Sequence, residues 1–240
     1  MRLRPFLSYY GGKWRAAPRY APPAYSAIIE PFAGGAGYSL NYADRQVILC
    51  ERDPRIALIW RFLIHAAPAD VLALPLMALD QSVADLPTCD PGGLELIRAW
   101  LQGASRNAKN HFSTFAKKAF AENPRTPAFW GEACRARIAA QVPYIKHWLL
   151  HEGTYSDLPN APATWFIDPP YNNRAGETYR HGPAGIDYAH LAAWCREREG
   201  QVIVCENEGA AWLPFRPLYE TSHVYAKGRA PQRATEAVWP

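Results

Sequence analysis

Short runs of consecutive apolar residues, each closed by an acid or a turn, constrain this chain more than any other feature. Ser26-Ala27-Ile28-Ile29 ends at Glu30-Pro31, and Val47-Ile48-Leu49-Cys50 ends at Glu51. Trp165-Phe166-Ile167 ends at Asp168-Pro169-Pro170-Tyr171, and Val202-Ile203-Val204-Cys205 forms a further run. Such runs are too short for helices and do not alternate with polar residues. They read as strands buried on both faces, which requires a mostly parallel sheet covered by helices.

Helical signals fall between them. Gly34-Gly35-Ala36-Gly37 is a turn from which a helix is expected toward Tyr42. Asp53-Pro54 reads as an N-cap with proline at the first helical position, opening a helix to about His65. Asp187 caps another that stops at Gly200. A hairpin is expected at the end, over 222–226 and 235–239, with a basic loop over 227–233. Residues 68–146 read as mostly helical, with one helix over 94–101. A second is capped by Thr126-Pro127, with Trp130, Cys134, Ile138, Ile145 and Leu149 at helical spacing and a kink at Pro143. The expected class is α/β: a Rossmann-like open sheet from 1–67 and 147–240, with 68–146 as a helical insertion.

Composition narrows the function classes. Apolar residues make up 49% and charged residues 20%, which supplies a core and excludes disorder. The longest near-apolar stretch starts at Ile56 and is interrupted by Arg61, His65, Pro68 and Asp70, so no membrane span is expected. The apolar run after Arg2 and Arg4 is only Phe6-Leu7, too short for a secretory signal. Five dispersed cysteines without a CxxC pair indicate neither a zinc site nor a disulfide framework, and a reducing cytoplasm is expected. The net charge of +4 is unevenly spread. Residues 97–146 hold nine basic groups (Arg98, Arg106, Lys109, Lys117, Lys118, Arg125, Arg135, Arg137, Lys146) against Glu122 and Glu132. That concentration suggests a surface facing a polyanion, and a solvated helix face is the plainer alternative.

Three local patterns carry chemistry. The first is strand, glycine turn, helix, strand and acid, with Glu51 placed 17 residues after Gly34. In nucleotide-binding α/β folds an acid there accepts from ribose hydroxyls, while the glycine loop admits a ligand close to the backbone. The second is Asp168-Pro169-Pro170-Tyr171 at a strand's carboxyl end. It presents a carboxylate, a carbonyl and an aromatic plate, which suit a flat ring with an exocyclic amine. The third is Tyr9-Tyr10-Gly11-Gly12-Lys13-Trp14, whose glycines can form an anion-binding nest. Each alone is also explained by a packed turn.

Taken in this order, the three resemble the Dam-type DNA adenine-N6 methyltransferases: YYGGKW, IIEPFAGGAG, CERD and FIDPPY match that family's motifs. The resemblance covers residues 7–65 and 145–240, and the middle corresponds by position to the DNA-recognition insertion. It implies a Rossmann-like methyltransferase sheet that binds S-adenosylmethionine, yields S-adenosylhomocysteine and uses no metal. Tyr9, Gly11, Gly12 and Lys13 would help hold the donor, and Phe32, Gly34, Gly35 and Gly37 would line its methionine end. Glu51 would take its ribose hydroxyls. Asp168 and the Pro169 carbonyl would accept from the target amine, with Pro170 stiffening the turn and Tyr171 stacking on an extruded adenine. Asp168 also counts among the donor-side residues.

The expected partner is double-stranded DNA, contacted by Arg106, Lys109, Asn110, Lys117 and Lys118. The resemblance further implies a monomer or weak dimer, cytoplasmic and encoded by a bacterium or phage, as in a restriction-modification setting. A catalytically silent DNA-binding relative and an amino-methyltransferase acting on cytosine or RNA are the alternatives. The chain departs from the family at Thr154, where an acid near the donor's adenine is expected.

Overall fold

Ile28 and Ile29 on β1 (Ala27–Glu30) are both buried, one on each side of the strand. This is the sandwiched environment that the apolar runs require. The computed structural model describes residues 2–101, 109–172, 182–223 and 232–240. Around β1 lie β2 (Gln46–Glu51), β3 (Leu149–Glu152), β4 (Ala163–Ile167) and β5 (Gly200–Asn207), all parallel. The described sheet is completed by β6 (Arg216–His223) and β7 (Gln232–Trp239), in the order β3-β2-β1-β4-β5-β7-β6. β7 runs antiparallel to both β5 and β6. The protein is therefore an α/β fold with a mixed sheet, broadly Rossmann-like, whose chain order reverses between β1 and β4.

The two faces of the sheet bury different partners. Ile29, Trp165, Ile167 and Val204 pack with Leu191, Trp194 and Cys195 of α6 (Tyr188–Arg196). Ile28, Val47, Leu49, Phe166 and Ile203 face the other way, onto Trp60 and Leu63 of α1 (Pro54–His65). That second cluster continues into α3 (Pro91–Trp100) through Leu96, Ile97 and Trp100, and into α5 (Glu132–Gln141) through Cys134 and Ile138. The helices of 68–146, including α2 (Pro68–Ala73) and α4 (Thr114–Glu122), thus share a core with the sheet and the N-terminal arm. Trp100 Nε1 donates to the Phe6 carbonyl at 2.8 Å, joining this segment to the arm directly. Among the described residues no helix is long and apolar enough to cross a membrane.

Three expectations need correcting. The helix after the glycine turn is only a 3-10 turn, Ser39–Tyr42. Asn41 Nδ2 takes the Gly37 carbonyl at 2.9 Å, and the Asn41 amide goes to Tyr38 O at 3.0 Å, a bond one residue too short for an α-helix. The helix expected from Thr126 begins at Glu132. Thr126 Oγ1 instead closes a turn on Ala128 N, and Trp130 N bonds to Trp100 O. Beyond Gln141 the chain tightens into a 3-10 turn, Val142–Ile145, because Pro143 has no amide to continue the ladder. Leu149 then belongs to β3, a short edge strand that the helical spacing concealed. The terminal hairpin pairing is present, with longer strands than expected, so that 232–233 of the expected basic loop belong to β7, and residues 224–231 lie outside the described residues.

Gly200 opens β5 with φ +103°, and a Cβ there would lie 2.3 Å from the Ala163 carbonyl oxygen. Gly200→Ala is expected to destabilise the protein by more than about 1 kcal/mol through strain and collision with β4. Urea unfolding of the two proteins checks this, and equal stability would contradict it.

Candidate functional site

Parallel strands deliver their carboxyl ends to one edge of the sheet, and the reversal between β1 and β4 opens a crevice there. Glu30, Glu51 and Asp168 stand at or just beyond the ends of β1, β2 and β4. A cleft of about 770 Å³ runs along this edge. Its walls include Tyr9–Lys13, Phe32–Gly35, Gly37, Glu51, Thr154, Asp168–Tyr171 and Glu236. Every residue expected at the donor or catalytic site lines this one cleft.

On the β1–β2 side, Glu51 holds the loop. Its Oε2 accepts from Gly34 N at 2.9 Å and its Oε1 from Asp53 N at 2.8 Å, and Trp60 Nε1 fixes the Gly34 carbonyl at 2.8 Å. Each carboxylate oxygen keeps a lone pair for a further donor. Burial raises the Glu51 carboxyl to about 7 despite these amides. Glu30 is more deeply enclosed. It accepts from Ser39 N at 2.7 Å, and burial raises it to about 8.

The glycines have a partner that the sequence did not indicate. A Cβ on Gly34, where φ is +45°, would lie 2.7 Å from the Tyr9 ring, and one on Gly37 would lie 2.5 Å from Trp14 N. Their close approach admits the protein's own N-terminal arm. That arm brings in Lys13, which is 8% exposed. Its Nζ lies 2.8 Å and 3.0 Å from the two Asp168 oxygens, 3.6 Å from Glu236 Oε1 and 4.8 Å from the centre of the Tyr171 ring. Burial by itself lowers the Lys13 pKa, but the carboxylates of Asp168 and Glu236 reverse that and hold it well above its ordinary value. The Lys13 side chain therefore faces the Asp168–Tyr171 turn.

The Asp168–Tyr171 turn is fixed at several points. Tyr188 OH donates to Pro170 O, and Glu206 Oε2 accepts from Asn172 N at 3.2 Å and from Trp212 Nε1 at 3.1 Å. Tyr171 is half-buried, and its hydroxyl donates to Glu236 Oε1, which also accepts from Tyr20 OH at 2.6 Å. Stacking on a flat base involves only the ring, and the hydroxyl has this carboxylate as a partner of its own. Sequence reading missed Tyr20, Tyr188, Glu206 and Glu236. The only local sign was a buried-strand pattern carrying an acid. On the far wall, Thr154 Oγ1 donates to Asp157 Oδ2 at 2.8 Å, so a carboxylate stands behind the hydroxyl that replaces the expected acid.

The basic segment divides. Lys109, Asn110, Lys117, Lys118 and Arg125 are exposed, with Lys118 3.8 Å from Glu122. Arg106 lies outside the described residues. Arg98 pairs with Glu95, Arg135 donates to Leu74 O at 2.7 Å, and Arg137 donates to Pro5 O at 2.8 Å. Lys146 closes the end of α1 by donating to the Ile64 and Ala66 carbonyls. The structural roles of these four leave a smaller free positive surface than the sequence count implies. No protein-family model and no curated protein matches the chain.

A carboxyl raised on folding makes the folded state hold a proton that the unfolded chain releases, so stability falls as pH rises from about 4.5 through about 8 at Glu30. Glu30→Gln keeps an acceptor for Ser39 and removes that titration. Its stability relative to wild type is expected to increase with pH across this window, by at most about 1.4 kcal/mol per pH unit. Denaturant melts at pH 5 and 8 measure it, and a pH-independent difference would contradict the assignment.

Proposed function

We propose that this chain is a Dam-type, S-adenosylmethionine-dependent methyltransferase acting on the N6 amine of adenine in DNA. The observation that carries the reading is convergence. The glycine loop with Glu51 and the Asp168–Tyr171 turn, distant in sequence, line a single cleft at the switch point of the sheet. Its volume of about 770 Å³ suits a donor with an extruded base beside it. The donor fits the residues present: Glu51 has acceptor capacity for ribose hydroxyls, and Phe32 and Tyr155, with ring centres 5.4 Å apart, offer flat surface nearby. The sheet order β3-β2-β1-β4-β5, with an antiparallel strand beyond, supports a nucleotide-binding α/β architecture.

When bound, the donor supplies an electrophilic sulfonium methyl. The chain must supply a competent nucleophile, because the adenine amine's lone pair is conjugated into its ring. Asp168 and the Pro169 carbonyl accept the two amine protons, which favours a pyramidal nitrogen with a free lone pair. Burial raises the Asp168 carboxyl above its ordinary value, and Lys13 opposes that shift and orients the group, so acceptor geometry is set before the reaction. The half-buried Tyr171 ring stacks on the base, worth about 1–3 kcal/mol against the cost of extruding it. Exposed Lys109, Lys117 and Lys118 would supply phosphate contacts, and Asn110, next to Lys109 in sequence, is exposed as well.

Asp168→Ala is expected to lower methyl transfer to DNA by at least about 100-fold. Lys13 keeps Glu236 at 3.6 Å as a second carboxylate, so the variant is expected to lose stability, by about 3–5 kcal/mol at most, without losing the fold. Transfer of labelled methyl groups, read beside the melting temperature, tests this. An active variant, or a wild type that neither binds the donor nor methylates DNA, would overturn the proposal. Replacing Lys117 and Lys118 with alanine is expected to flatten the dependence of log K on log salt by up to about two units, without changing which base is methylated. Binding across a salt series measures this, and an unchanged slope would place both lysines off the DNA.

A further inference from the structure

Glu236 belongs to none of the motifs above, yet it lies in a largely buried polar cluster with Lys13, Tyr20 and Tyr171. It is 7% exposed on β7, a strand bonded on both sides to β5 and β6. Its Oε1 accepts from the hydroxyls of Tyr20 and Tyr171 and faces Lys13 Nζ at 3.6 Å. Tyr20 is itself buried and packed edge-on against Phe166 and Tyr219, so it braces the carboxylate from behind. A half-buried phenol held only at its Cβ rotates about two torsions. The hydroxyl oxygen lies on the ring's long axis, so bonding it to a group on a rigid strand fixes where that axis points, through χ1.

We infer that Glu236 is a positioning residue that sets the direction in which the Tyr171 ring points toward the incoming base, through the Tyr171 hydroxyl. The inference rests on the adenine-methyltransferase reading above. Lys13 lies between the two carboxylates and over the same ring, so the acid that accepts the amine and the plate that holds the base are referred to one anchor. The Tyr171 hydroxyl thereby acquires a function that stacking alone does not give it. A misplaced ring leaves the donor side of the cleft intact and costs rate at saturating DNA.

The test uses the full chain and the variants Tyr171→Phe, Glu236→Leu, Glu236→Gln and Tyr171→Phe/Glu236→Leu. Single-turnover methyl transfer at saturating DNA is read beside calorimetric binding of S-adenosylmethionine. Tyr171→Phe and Glu236→Leu are each expected to lower the transfer rate about 10- to 100-fold with donor affinity unchanged. The double variant is expected to be no slower than Glu236→Leu, because both changes cut one tether. Glu236→Gln keeps an acceptor oxygen for both phenols and is expected to recover most of the loss. A Tyr171→Phe enzyme at the wild-type rate, or losses that multiply in the double variant, would overturn the inference. Exchange of labelled Tyr171 between χ1 rotamers, followed by NMR couplings, is independent of turnover. It is expected to be absent in wild type and Glu236→Gln and present in Glu236→Leu. Equal χ1 averaging in all three would overturn the tether even in an inactive protein, whereas absent donor binding by wild type would count against the methyltransferase reading instead.

Discussion

The contact between Lys13 and Asp168 joins the parts on which the rest of the site depends. An ammonium enclosed to this extent requires compensating charge, and removing one partner of a buried pair costs about 3–5 kcal/mol. Asp168 supplies the compensation from the end of β4 and Glu236 adds to it from β7. The N-terminal arm, the Asp168–Tyr171 turn and the last described strand are thereby held to one another. The arm reaches this position only because Gly34 and Gly37 leave room for Tyr9 and the backbone at Lys13 and Trp14. The glycine loop and the YYGGKW segment, which read as two separate ligand motifs, are packed against each other.

The same arm ties the helical segment to the sheet. Trp100 and Arg137 both donate to arm carbonyls, at Phe6 and Pro5. α3 then contributes Glu95 and Ala99 to the cleft wall. A segment with no motif of its own thus helps to close the site, and movement of these helices would reach the cleft through the arm.

Charge counting shows how a correct composition can overstate a surface. The nine basic residues of 97–146 form a real concentration in sequence. Four of them satisfy an acid or backbone carbonyls within the fold. An unpaired carbonyl in a buried setting is costly, and a long cationic side chain is well suited to reach one. The exposed cations cluster around α4 and the chain that precedes it.

Local chemistry made much of this protein legible from its sequence. The apolar runs at 28–29, 47–50, 165–167 and 202–205 became strands because burial on both faces leaves no alternative to a continuous apolar run. Asp53 and Asp187 capped their helices because the requirement for a side-chain acceptor is met within three residues. The acids at strand ends fell into the cleft because parallel strands share a polarity. What sequence could not disclose depends on contacts between distant residues. The pairing of Lys13 with Asp168 spans 155 positions, and that of Tyr20 with Glu236 spans 216. The lost helix after Gly37 and the edge strand at Leu149 were decided in the same way, by Asn41 reaching back to a neighbouring loop carbonyl and by β2 offering an open edge. Periodicity reports which face of an element is buried, and only the closed sheet determines which charges meet there.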